Sequence, residues 1–272
     1  MLTIRTASEV SIESLHRVME ESFRDYFVNV HMELAGFQAM IRRESISREK
    51  SVVVFDQERP AGVGLLAHRD GASRVAAMGV VSDVRGKGVG RQILQELVEA
   101  ARRREDRRIE LEVIEQNIPA LELYRSAGFT RMRRLVGFSH DQLAGSEAGG
   151  LNKIGLELAG EILSDHGLAD LPWQISADSL VQGEDNKAFS LDGGVLILAG
   201  LGRNTVTIRS LVVDRNLRRQ GRATRLLQAA AARFPEKEWQ VPVLFPQEME
   251  PFFLSLDFKR IRLSQLQMKR DL

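Results

Sequence analysis

The sequence predicts a mixed α/β (α+β) chain made of two similar halves in tandem, and three observations carry this. Stretches with the two-residue alternation of strands trade places with stretches whose apolar residues recur at helical spacing. A section of the second half lines up with a section of the first at a constant offset of about 133 residues. Between them lies a segment rich in Gly, Ser and Ala, residues 139–151. The expected division is therefore 1–138, a linker over 139–151 and a second half over 152–272. A length of 272 residues suits two domains.

LTIRTA alternates as a short first strand. Ser11 then precedes SIESLHRVMEESFRDYF, where Ile12, Leu15, Val18, Met19 and Phe23 share a helical face. ELAGFQAMIRRESI reads as a second helix. SVVVFDQERP and AGVGLLAHRD read as strands joined by a turn around Arg59 and Pro60, and VAAMGVV as a strand that runs into a glycine-rich loop. After the loop, Ile93, Leu94, Leu97, Val98 and Ala101 lie on one helix face. RRIELEVIE alternates as a strand, with Ile109, Leu111 and Val113 on one face and Glu110 and Glu112 on the other. In PALELYRSAGF, Pro119 suits the first helical turn and Gly128 the left-handed position that stops the helix. TRMRRLVGF closes the half as a strand.

Bulk properties narrow the function classes. Apolar content of 43% supports real cores, and a net charge of +1 gives no whole-protein reason to bind nucleic acid or a membrane. The arginine clusters lack the aromatic interleaving of a nucleic-acid surface. The absence of cysteine removes disulfides, thiolate metal sites and a thiol nucleophile. His31 has no second ligand at metal spacing, so no metal is expected. The N-terminal stretch lacks a signal-peptide core and no apolar run approaches membrane-spanning length, which gives a cytoplasmic expectation.

The loop VVSDVRGKGVGRQIL demands an explanation, because glycine beside a helix costs roughly 1 kcal/mol against alanine. A Walker loop needs GxxxxGK[ST], and here the upstream glycine and the hydroxyl after Lys87 are missing. A dinucleotide fingerprint needs GxGxxG in the first βα unit, and this GxGxG lies well inside the chain. What remains is R-x-x-G-x-G at a strand-to-helix junction, formed by Arg85, Gly88 and Gly90. Exposed amides there make an anion cradle.

This loop resembles the pyrophosphate loop of the GNAT acetyltransferase superfamily. Downstream, LEVIEQNIPALELYRSAGF is similar to the superfamily's second signature through Asn117, Ala120, Leu123, Tyr124, Gly128 and Phe129. The resemblance covers residues 2–138, and about 205–258 in the second half. It implies two GNAT-like domains, each a bent mixed sheet flanked by helices, with the second degenerate. It implies acetyl-CoA as cosubstrate: backbone of Met78, Gly79 and Val80 along the pantetheine, amides of Arg85, Gly86, Lys87, Gly88, Val89, Gly90 and Arg91 at the pyrophosphate, and Asn117 and Tyr124 beside the cofactor. Tyr124 matches the family's tyrosine that protonates the departing thiolate, and the Val80 N–H would polarise the thioester. Glu112 stands twelve residues before Tyr124, as the glutamate does in ribosomal-protein N-terminal acetyltransferases. The readings open for it are the base and a surface carboxylate balancing nearby arginines. The first two helices would line the acceptor pocket, where Asp25, Tyr26 and His31 either meet an amine or stay on a helix surface.

The second half repeats the loop as Val213, Arg218, Arg219, Gln220, Gly221, Arg222 and Ala223, with Leu226, Leu227, Ala230, Ala231 and Phe234 on the following helix face. It departs downstream: Pro246 stands for Asn117, Phe253 for Tyr124 and Asp257 for Gly128. A second CoA site and a relic loop are both open. Trp173 in LPWQI reads as a packed turn or a pocket wall. The expected activity is N-acetyl transfer to a small-molecule or peptide amine by direct transfer in a ternary complex, with the active site in the first half and an oligomer possible. The competing class is a non-catalytic CoA-sensing or interaction module.

Overall fold

The structure, a computed structural model, describes residues 2–28, 30–146 and 150–272. Contacts divide the chain into Met1–Met132 with Leu266–Leu272, and Arg133–Gln265. The boundaries expected at 138 and 152 therefore differ from the observed division. The last seven residues go to the first unit because Leu266 and Met268 are buried in its core. Of the expected linker, 147–149 lie outside the described residues.

The first unit begins with β1 (Leu2–Thr6) and α1 (Ile12–Ser22), followed by α2 (Leu34–Arg43), β2 (Ile46–Asp56), β3 (Arg59–Arg69) and β4 (Ala72–Val80). Next come α3 (Val89–Arg103), β5 (Arg108–Ile114), α4 (Ile118–Ser126) and the start of β6 (Thr130–His140). Ser11 caps α1, its hydroxyl accepting the Ser14 N–H at 3.2 Å. The helix stops at Ser22, short of the expected residue 27. β2 starts at Ile46, where helix was expected: the buried Ser51 hydroxyl donates to Ser47 O at 2.6 Å and accepts the Leu66 N–H at 2.9 Å, stitching an irregular stretch into the sheet. The β2–β3 turn falls at Gln57, whose φ is +55°, and not at Arg59 and Pro60, which pair with Asp56 and Phe55.

Strand order in this unit is β1-β2-β3-β4-β5, antiparallel except for the parallel β4–β5 pair. α3 buries Ile93, Leu94, Leu97, Val98 and Ala101 against it. The sheet admits the helix because β3 carries glycine beneath it. A Cβ on Gly64 would overlap Ile93 Cγ2 and come within 3.0 Å of Leu97 Cδ1.

The second unit, from Arg133 of β6, holds β7 (Asn152–Ile154), α5 (Leu156–His166), α6 (Ala177–Val181), β8 (Lys187–Leu191) and β9 (Gly194–Ala199). It continues with β10 (Thr205–Val213), α7 (Arg222–Arg233), β11 (Glu238–Pro246), α8 (Glu250–Leu254) and β12 (Lys259–Asp271), the last up to Gln265. Its order β7-β8-β9-β10-β11, antiparallel until the parallel β10–β11 pair, repeats that of the first unit. Leu226, Leu227, Ala230 and Ala231 are buried on α7, in phase with α3. Trp173 forms a buried one-turn helix with Gln174 and Ile175. Among the described residues no helix is long and apolar enough to cross a membrane.

Candidate active site

The glycine loop is an open amide cradle. Gly86 and Gly88 hold φ of +78° and +83°, the left-handed region that side chains disfavour, and a Cβ on either would meet nothing within 4 Å. Gly88 caps α3, whose first bond runs from the Gln92 N–H to Gly88 O. Among the described residues the amides of 86–91 have no backbone partner, as helix geometry requires of a first turn. Lys87 and Arg91 are exposed, whereas the Val89 side chain belongs to the core and leaves only its backbone at the loop. A Cβ on Gly90 would already lie 3.4 Å from Leu123 of α4.

Arg85 departs from expectation. Its N–H donates to Ser82 O at 3.3 Å. Its guanidinium donates to Val80 O at 2.9 Å and Ser22 O at 3.1 Å. It ties the end of β4 to the end of α1, so the cradle's open amides start at residue 86. Arg218 makes the same clamp in the second unit, to Val213 O at 3.1 Å and to His166 O at the end of α5.

β4 and β5 pair only at Ala72, Ser73 and Arg74, then part. The Val81 N–H donates to Ala61 O at 3.0 Å, which makes 61/81 and 63/79 the hydrogen-bonded pairs of the β3–β4 ladder. The backbone groups of Met78 and Val80 therefore turn away from β3, toward the gap. Gly79 lets α1 close on this strand: a Cβ there would stand 2.7 Å from Ser22 Cβ and 2.9 Å from Phe23 Cε2.

Asn117 caps α4, its Oδ1 accepting the Ala120 N–H at 3.3 Å. Tyr124 is 7% exposed on the same helix, its ring 5.9 Å from that of Phe129. Burial pushes its phenol far above the ordinary range, and Tyr26 adds to the shift, so it stays protonated near neutrality. Tyr26 is half-buried, with an edge-on contact to Phe23 at 5.0 Å. Burial raises its phenol too, partly offset by a hydrogen bond from the Asn117 side chain. The structure thus takes Tyr26 off the helix surface. Asp25 is exposed, and His31 Nδ1 lies 2.5 Å from Glu20 Oε1.

Glu112 is no surface carboxylate. Its side chain is 2% exposed, and its Oε2 lies 2.7 Å from Arg74 Nη2 and 2.8 Å from Arg74 Nε. Arg74, 3% exposed, also holds Glu44 at 2.9 Å, and Glu110 Oε1 lies 2.5 Å from Arg108 Nε. Arg43 Nη2 also lies 3.2 Å from Glu44 Oε1, so three carboxylates meet three guanidinium groups here. An arginine at the head of the apolar run VAAMGV was the available signal for this cluster.

In the second unit, Arg219 at φ +60° and Gly221 at +72° keep the loop's backbone shape. Arginine fills the place: Arg225 Nη1 donates to Gln220 O at 3.0 Å, and Arg222 Nη1 to Asp192 O at 2.6 Å. Ala223 lies in the first turn of α7. Phe253 is wholly buried, stacked on Phe138 at 4.9 Å, and Asp257 takes Gly128's left-handed position at φ +61°. Among the described residues no three His, Asp or Glu are grouped to hold a metal ion.

Residues 14–129 match the model of the Acetyltransferase (GNAT) family. Over 77 residues the chain is 31% identical to YobR, an uncharacterized N-acetyltransferase of Bacillus subtilis (strain 168). That alignment covers 28% of this chain and 31% of the relative, so the chain spans about a third of it. Two solved structures are similar across the whole chain. The tandem GNAT protein from the clavulanic acid biosynthesis pathway has a TM-score of 0.69 at 15% identity, over 100% of this chain and 98% of that one. The GCN5-related N-acetyltransferase from Sphaerobacter thermophilus has a TM-score of 0.71 at 13% identity, over 99% and 95%. A glycine cradle at a helix N-terminus, parted parallel strands and a capped helix bearing a buried tyrosine all lie within residues 14–129, the stretch that matches the GNAT acetyltransferase model, and the chain has the fold of the tandem GNAT proteins.

Proposed function

We propose that the first unit transfers the acetyl group of acetyl-CoA directly to a primary amine within a ternary complex. The observation that carries this reading is the cradle of unpartnered amides at 86–91 opening beside the gap between β4 and β5, with a buried, protonated Tyr124 on α4. The residues fit the cosubstrate: left-handed glycines without side chains leave room for a pyrophosphate, the outward backbone of Met78 is available to pantetheine amides, and the Val80 N–H stays free of the Arg85 clamp on its carbonyl. Acetyl-CoA supplies an activated acyl group on a thiol leaving group.

This chain supplies the proton chemistry. A lysine-like amine has a pKa of about 10.4, so about one molecule in a few thousand is neutral at pH 7 and a proton must be removed. The Val80 N–H polarises the thioester carbonyl. Tyr124 donates its proton to the departing thiolate. Glu112, fixed by Arg74, receives the amine's proton through water. A single proton-transfer group contributes about 10²–10⁴-fold. The second unit is read as a supporting copy, since Phe253 has no hydroxyl and arginine side chains occupy its loop.

The test is acetyl-CoA-dependent thiol release over a panel of small and peptide amines. Activity with intersecting initial-rate lines is expected. Parallel lines with an isolable acetylated protein on the turnover path would contradict direct transfer. CoA binding without thiol release from any amine would favour a CoA-sensing module.

A further inference from the structure

Glu44 is buried at the C-terminal end of α2, where no motif singles it out. Its placement is unfavourable twice over: burial removes its water, and a carboxylate at a helix C-terminus faces the negative end of the dipole. Two guanidinium groups offset this. Arg43 Nη2 lies 3.2 Å from its Oε1, and Arg74 Nη1 donates to its Oε2 at 2.9 Å. Arg74 is the last residue of β4 paired with β5, opposite Glu110. Its Nε and Nη2 hold Oε2 of Glu112, two residues farther along β5 and past the point where the strands part. Ile109, Leu111 and Val113 lie in the core with α3, so Glu112 belongs to the other face of the sheet. The end of α2 is pinned by Arg69 of β3, which donates to Arg43 O at 2.7 Å and to Ser45 Oγ at 3.2 Å. One arginine thus bridges a fixed helix end and the strand that carries Glu112.

We propose that Glu44 is a positioning residue for the transfer reaction, acting through Arg74 to hold the Glu112 carboxylate at the fork between β4 and β5. The inference rests on the enzymatic reading above, in which Glu112 takes the amine's proton. Stability alone does not account for the arrangement, because apolar residues of similar volume often match or exceed a buried ion triad. The second unit builds the same fork without one. There β10 and β11 pair at Thr205, Val206 and Thr207, with Thr207 at the place of Arg74 and Pro242, two residues past Gln240, at the place of Glu112. What the charges add in the first unit is direction. A guanidinium presents its donors in a rigid fork, so anchoring Nη1 on Glu44 fixes where Nε and Nη2 meet Glu112.

A double-mutant cycle in steady-state kinetics tests it, with chemistry limiting the rate. Glu44→Gln keeps the size and removes the charge, so kcat should fall about tenfold, the scale of one charge-assisted hydrogen bond, with KM for acetyl-CoA unchanged. In a Glu112→Gln background the same change should alter kcat by less than about twofold, because Glu44 acts only through Glu112. An unchanged kcat in Glu44→Gln, or the same fold-loss in both backgrounds, is what a merely structural Glu44 gives, and either overturns the proposal. Should Glu44→Gln not fold, Arg74→Lys carries the same cycle. Its ammonium keeps the charge without the fork, and the loss should again be confined to the background that retains Glu112. Thiol release by the parent separates the two readings. A parent that acetylates no amine overturns the enzymatic reading and this role with it, whereas an active parent with equal losses in both backgrounds overturns this role alone.

Discussion

Gly88→Glu separates the cradle's role in binding from its role in folding. Gly88 sits at φ +83°, so any side chain there costs about 1–2 kcal/mol in backbone strain. The added Cβ meets no atom within 4 Å, so no packing cost is added. Melting should fall by only a few degrees. The second unit supports this tolerance, because Arg219 already holds φ +60° at the place matching Gly86. The binding cost is different in kind. A carboxylate about 4 Å from a bound phosphate charge costs about 1 kcal/mol at the dielectric of water and about 4 kcal/mol at an effective value of 20. CoA affinity should therefore drop by about fivefold to a thousandfold. Calorimetric titration with CoA, beside thermal melts, reads both numbers. Gly88→Ala carries the same strain without the charge, so the difference between the variants isolates electrostatics. A folded Gly88→Glu protein with unchanged CoA affinity would refute the cradle.

Three further outcomes follow from the geometry. Arg85→Met removes two hydrogen bonds to backbone carbonyls and should cost about 1–3 kcal/mol in urea denaturation, and an unshifted midpoint would show that the clamp holds nothing. Gly64→Ala forces a methyl into Ile93 and should cost about 1–3 kcal/mol, partly recovered by Ile93→Ala in the same chain; additivity of the two changes would contradict the contact. Glu112→Gln should lower kcat/KM by about 10²–10⁴-fold with KM for acetyl-CoA near the parent value, whereas a purely structural Glu112 would lower Tm and leave kcat/KM near the parent value.

Local demands wrote themselves plainly into the sequence. The α3 and α7 faces, the caps at Ser11 and Asn117, and the left-handed positions at Gly88 and Gly128 each answer a local geometric need, and each is readable residue by residue. The repeat made the shared strand order of the two units foreseeable. What escaped depends on partners far along the chain. Arg85 reads as the first amide of a phosphate loop, and only three dimensions show Arg85 and Arg218 clamping carbonyls. Glu112 alternates like a solvated residue, and only the pairing with Arg74 shows both faces of β5 covered. Tyr26 reads as a helix-surface residue because nothing local reveals that α1 ends at Ser22. The last strand's passage from one unit to the other leaves a faint trace, the apolar Leu266 and Met268 in an otherwise polar tail.

The central claim is that chemistry resides in the first unit and passes a proton through Tyr124. Tyr124→Phe removes one oxygen and keeps the ring against Phe129, and it makes the position match Phe253 of the second unit. Because burial holds the phenol protonated well above neutral pH, the parent's acid is available across the whole neutral range. With an accepted amine and chemistry limiting the rate, kcat for Tyr124→Phe should fall by about 10²–10³-fold, while KM for acetyl-CoA stays near the parent value. A Tyr124→Phe enzyme within about threefold of the parent kcat would remove Tyr124 from the reaction and contradict the account.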